Sequence, residues 1–261
     1  MSVSSAAQPA FNPADFVKGQ PVDNPYLPYK QGTTFVYDSF SGDVLEQVDT
    51  QTVTGATRRI DGVTCTIVLD VVADAKTGQV LETTNDYYAQ DKSGNVWYFG
   101  EAGKEFDNGK LVAQDRWRAG VHGASPGIIM EAHPKVGDSY DQEIAPGVAQ
   151  DHAEVISVTG SATVPFGTFN NLVVTHEDST LEPTASETKS FAAGVGQVSG
   201  NDLQTGLQDR LVSVTTDANS KLVQALAGFG ASAGGLDSGL SAVAANDSGL
   251  HHILTAAVHH G

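Results

Sequence analysis

From Thr34 to Thr215 the chain alternates short apolar and β-branched runs with polar turn clusters, the signature of strands at close intervals. The densest aromatic stretch, Val80 to Glu101, holds two such runs. Tyr87 and Tyr88 lie in the first, and Trp97, Tyr98 and Phe99 in the second, with Asp91-Lys92-Ser93-Gly94 between them. Aromatic residues suit a pleated, half-buried surface, and a polar cluster ending in Gly reverses the chain, so the stretch predicts a central hairpin. Asn108-Gly109 predicts a second hairpin, because both residues tolerate positive φ.

Further strands are expected at 34–38, 44–54, 64–72, 139–144, 151–158, 172–177, 187–191, 195–198 and 210–215. Turns are expected at 58–62, 74–78 and 165–171. The stretch Trp117 to Asp138, with four glycines and two prolines, predicts an irregular loop. Together these give about ten to twelve strands in an all-β fold, an antiparallel barrel or a half-barrel of curved sheet. Residues 1–23, rich in Ser, Ala and Pro, read as an extended arm, and 24–216 as the β domain. The tail, 217–261, is rich in small residues. It reads as flexible or partly helical, with helix patterns at 220–228 and 246–260.

Composition narrows the function classes. Net charge is −17, from 31 acidic against 14 basic residues, which argues against nucleic acid and anionic membrane surfaces as partners. No apolar run is long enough for a membrane-spanning helix. The first residues do not read as a standard secretory signal. The single cysteine, Cys65, sits in a β-branched run and reads as a small core residue.

Several pieces stand in one order: Asn24-Pro25-Tyr26…Pro28, Gly32-Thr33-Thr34-Phe35-Val36-Tyr37, the Asp86 to Glu101 hairpin, Pro126-Gly127-Ile128-Ile129-Met130, Val136-Gly137-Asp138-Ser139-Tyr140…Gln142-Glu143 and Val164-Pro165-Phe166-Gly167-Thr168-Phe169. Over about residues 24–200 this order resembles an uncharacterised family of bacterial exported, lipoprotein-like β-rich proteins. The resemblance implies an open-barrel sheet and an exported habit, at the periplasm, cell surface or outside the cell, and it implies no activity. The tail has no counterpart in that family, and a Lys/Arg-poor C-terminus is a candidate export signal. Gly200-Asn201-Asp202-Leu203 resembles one fragment of a calcium-binding repeat.

Candidate chemistry is sparse. His122 and His133 fall in the irregular loop, and His152 and Glu154 are two apart on one strand face. If these four converge, they offer nitrogen and oxygen ligands to a divalent metal ion, the one cofactor the sequence suggests. The plainer reading is four separate surface residues. Asp138, Asp141, Glu143, Asp151 and Glu154 crowd one strand pair and read first as a solvated acidic face. Tyr88, Trp97 and Phe99 are candidate ligand-binding aromatics, with core packing as the plainer alternative. No nucleophile elbow or phosphate loop is present. The leading expectation is a non-catalytic, exported barrel binding an apolar or amphiphilic small molecule. A metal-dependent enzyme using His122, His133, His152 and Glu154 comes second, and a surface structural or adhesion module third.

Overall fold

A computed structural model of the protein describes residues 8–217. The expected helices of the tail lie outside the described residues. Within them, apart from one 3-10 turn at Pro13–Asp15, regular structure is all strand. The strands are β1 (Thr33–Ser41), β2 (Val44–Ile60), β3 (Val63–Asp74), β4 (Val80–Gln90), β5 (Val96–Asp107), β6 (Lys110–Arg118), β7 (Ser125–Met130), β8 (Ser139–Asp141), β9 (Glu143–Ile144), β10 (Asp151–Val164), β11 (Gly167–Ser179), β12 (Ser186–Ala192), β13 (Gly196–Asp202) and β14 (Leu207–Thr216).

They form one antiparallel sheet in the order β8-β10-β11-β12-β13-β14-β1-β2-β3-β4-β5-β7-β9, with β6 also on β5. Two meanders, β1 to β5 and β10 to β14, make up most of it. They meet along β1 and β14, which pair from Thr33↔Thr216 to Ser41↔Leu207. At the far side the two ends of the sheet are halves of a single extended segment. Ser139–Asp141 pairs with β10, through His152↔Asp141 and Glu154↔Ser139. Two residues on, Glu143–Ile144 pairs with β7, through Pro126↔Glu143 and Ser125↔Ile144. Gln142 between them is buried, and its N–H donates to the Asp151 carbonyl at 2.8 Å. The segment 139–144 thus bridges both ends of the sheet and nearly closes it into a barrel.

The expected hairpins are present. Asn108 and Gly109 have φ of 49° and 73°, as a tight two-residue hairpin requires. Three stretches differ from expectation. β2 runs on through Arg58 and Arg59, so the turn shrinks to Asp61-Gly62. β11 begins at Gly167, and Asn171 is a bulge residue at φ 57° within it. β7 lies inside the stretch expected to be irregular, because a short strand tolerates Pro126 near its start and Gly127 is needed for packing.

Residues 8–30 follow two surfaces of the barrel. Phe11 and Phe16 pack on the outer side of β5, with ring centroids 5.5–6.0 Å from Trp97 and Phe99. The Lys92 N–H holds this arm by donating to the Asp15 carbonyl at 2.9 Å. The chain then crosses one end of the barrel. The Asn24 side-chain amide donates to the carbonyls of Gly94 and Glu131, and Pro25 accepts from the Gly194 N–H at 2.7 Å. These partners lie in the β4–β5 turn, after β7 and in the β12–β13 turn, so residues 24–30 form a cap over that end.

Closure makes one glycine critical. A Cβ on Gly127 would lie 2.3–2.4 Å from the backbone carbonyl oxygens of Gln142 and Asp141. Gly127→Ala is therefore expected to destabilise the protein by about 3 kcal/mol, the upper range for forced overpacking, read from urea unfolding. Gly167→Ala, where the added carbon meets only the Phe169 ring at 3.6 Å, should change stability by less than about 1 kcal/mol. Equal effects at the two positions would contradict closure through residues 139–144.

Candidate functional site

A barrel with more strands than the roughly eight whose side chains just fill the interior leaves space inside. Here that space is a cavity of about 300 Å³. Alternation along each strand decides its lining. On β3 and β4, Val68, Asp70, Asp86 and Tyr88 face inward, while Cys65, Ile67, Tyr87 and Ala89 belong to the outer cluster beneath Phe11 and Phe16. Leu27 and Tyr29 from the cap, with Tyr88, Ile129 and Phe191, give an apolar and aromatic base. Tyr88 stacks on Tyr98 at 5.0 Å and meets Tyr29 at 4.9 Å.

The rest of the lining is acidic. Asp49, Asp70, Asp86, Glu177, Glu187 and Asp209 contribute carboxylates from six strands, against the single cation Lys189. All but Asp86 lie toward the strand ends away from the cap. The cavity is therefore polarised, aromatic at the capped end and acidic at the other.

The internal partners of these acids can be followed one by one. Lys189 donates to Glu177 at 2.9 Å and lies 3.2 Å from Glu187. Burial disfavours the lysine's charge, but the two carboxylates outweigh it and hold its pKa well above the usual value. Asp209 accepts from the Ser39 hydroxyl at 2.6 Å. The Tyr98 hydroxyl lies 2.6 Å from Asp86 and 2.9 Å from Glu101. One phenol proton can be donated to only one of these carboxyls at a time. Desolvation, then the charge of Asp70, pushes Asp86 well above the usual carboxylate range. Desolvation followed by Glu101 pushes nearby Glu143 up to about 8.

Asp49 and Asp70 are left with the least. The Gln51 amide nitrogen reaches both, at 3.0 and 3.2 Å. Oδ1 of each is buried without a hydrogen-bond partner among the described residues. Desolvation pushes Asp49 up to about 7. Desolvation and then the negative charge of Asp49 push Asp70 well above its usual value. Acids perturbed by burial and by one another, around a cavity, make that cavity the candidate functional site.

The residues singled out in the sequence are placed as follows. Tyr88 lines the cavity, whereas Trp97 and Phe99 lie on the opposite face under the arm, where the Trp97 indole N–H donates to Asp91 at 2.9 Å. His122 is exposed on a turn at φ 52°. His133 lines a separate surface cleft with Asp23, Asn24 and Tyr26. On β10, His152 contacts Ser139 at 2.9 Å and Asp141 at 3.2 Å, while Glu154 is exposed. Among the described residues no group of three or more His, Cys, Asp or Glu is arranged to hold a metal ion. Gly200–Asp202 belongs to β13, and Asp202 Oδ1 accepts from the N–H groups of Gln204 and Thr205, so that fragment forms a hairpin turn.

No protein-family model matches the chain, and no curated protein matches it. Two solved structures are similar to it. One is a Bacteroides fragilis protein assigned as exported and as having a YmcC-like fold, 12% identical over 73% of this chain and 99% of that one, with a TM-score of 0.45. The other is a Parabacteroides distasonis protein assigned as a lipoprotein, 13% identical over 74% of this chain and 99% of that one, with a TM-score of 0.42. Likeness at this level carries no functional information.

Burial of these acids gives stability an unusual pH dependence. A carboxyl whose pKa is raised on folding binds more protons folded than unfolded, so stability falls as pH rises from the unfolded value, near 4, through the folded one. With Asp49 and Glu131 at about 7 and Glu143 at about 8, the loss spans pH 4 to about 8. The melting temperature is expected to drop by at least about 4 °C between pH 5.5 and pH 8.5. Asp49→Asn should flatten part of that slope. A flat or rising profile would contradict the burial of these acids.

Proposed function

We propose that the protein is a binding protein that holds a small amphiphilic molecule inside its barrel. The single observation behind this reading is the polarised cavity, with an aromatic base at the capped end and carboxylates at the other. Such a space suits a ligand with one apolar and one polar end. A purely apolar ligand fits less well, since it would leave the acidic half unpaired and desolvated. The setting that accompanies this reading is the cell envelope or the exterior, as the resemblance of residues 24–200 implies. Neither a metal-dependent enzyme nor an adhesion module has a comparable observation behind it: His122, His133, His152 and Glu154 are spread over separate turns and one strand.

Native mass spectrometry of the full chain incubated with a library of small amphiphiles tests the proposal. One molecule per chain is expected. Val68→Phe, which fills the cavity from β3, should abolish binding, while Phe11→Ala, which touches only the outer arm packing, should leave it intact. Absence of any bound molecule, or equal binding by Val68→Phe, would overturn the proposal.

A further inference from the structure

Resting on that reading, we propose that the polar end of the ligand is a cation, an ammonium group seated against Asp49 and Asp70 with its apolar part on the tyrosine-lined base. Counting partners leads there. Lys189 occupies Glu177 and Glu187, Ser39 occupies Asp209, and Tyr98 occupies Asp86. What remains is a pair of carboxyl groups sharing one amide nitrogen of Gln51, with Oδ1 of each buried and unpartnered among the described residues.

Leaving two such oxygens without donors costs more than an ordinary hydrogen bond contributes. A proton shared by the pair satisfies them in part. An ammonium group satisfies them with several N–H donors and supplies the positive charge that the acidic wall lacks. The neighbouring wall suits the same ligand. Tyr29, Tyr37 and Tyr88 line the same cavity, and aromatic rings attract organic cations as well as alkyl chains. An anionic ligand would meet six carboxyl groups with one lysine already committed.

Three probes of matched length separate the possibilities: n-octylamine, n-octanol and n-octanoate, titrated calorimetrically into the full chain at neutral pH. The amine is expected to bind one per chain, tighter than the alcohol by about tenfold or more, as a charge-assisted contact implies, and the carboxylate not measurably. In the double variant Asp49→Asn, Asp70→Asn the preference should collapse to within about threefold, with octanol binding retained. The wild-type comparison decides the matter even if that variant does not fold. Equal binding of amine and alcohol, or tighter binding of the carboxylate, would overturn the cationic assignment and leave the binding reading standing. A preference that survives in the double variant would place the cation elsewhere and also overturn the proposal. No binding by any probe would overturn it too, and the amphiphile library would then decide the binding reading separately.

Discussion

The structure depends on one six-residue segment serving two sheet edges. Residues 139–144 offer their first half to β10 and their second to β7, with Gln142 buried at the changeover. Without that bridge the two meanders would be a curved sheet joined only along β1 and β14, with unpaired edges facing solvent. With it the sheet has an inside. Inward side chains of the strands along that path then share an enclosed space, and the chemistry of that space follows from which residues fall on the inward parity.

Those residues are not the ones a stable core would choose. Asp49, Asp70, Asp86, Glu177, Glu187 and Asp209 place carboxyl groups where desolvation penalises their charge. Lys189, Ser39, Gln51 and Tyr98 answer some of that penalty, and protons retained on the carboxyls answer more. Apolar residues of similar volume would be expected to stabilise the barrel further, as they do in place of other buried charges. A fold that gives up stability in one enclosed region, while its outer cluster of Trp97, Phe99, Phe11 and Phe16 packs conventionally, has the distribution expected when the enclosed region binds something.

Much of the fold is legible in the sequence, and of the cavity's lining Tyr88 alone is singled out there. The hairpins at Asp91–Gly94 and Asn108-Gly109 follow from turn chemistry that acts over a few residues. Even Ser139–Ile144 is visible as a strand. Its double pairing is not, because pairing partners are set by distant residues. β7 hides because Pro126 and Gly127 carry a loop's composition, although Gly127 is required by carbonyl oxygens from residues far along the chain. The acidic wall is hidden more deeply. It takes roughly one acid per strand, so no local cluster appears, whereas the acids that do cluster locally, such as Asp141 and Glu154, are exposed. The usable signal is an acid at an alternate position within an apolar strand, as with Asp70 in Val68-Leu69-Asp70-Val71 and Asp86 before Tyr87 and Tyr88. Trp97 and Phe99 lie on the face of β5 opposite the cavity. Aromatic density marks burial, and here the burial is beneath the arm.

The central claim is that Asp49 and Asp70 form an inward, desolvated pair inside a nearly closed barrel. Carboxyl carbon NMR titration of the full chain, with the two residues assigned through their Asn variants, tests it most directly. Asp49 is predicted to titrate near 7, and Asp70 well above the usual aspartate range. Titration of both near 4, as solvated aspartates do, would contradict the account.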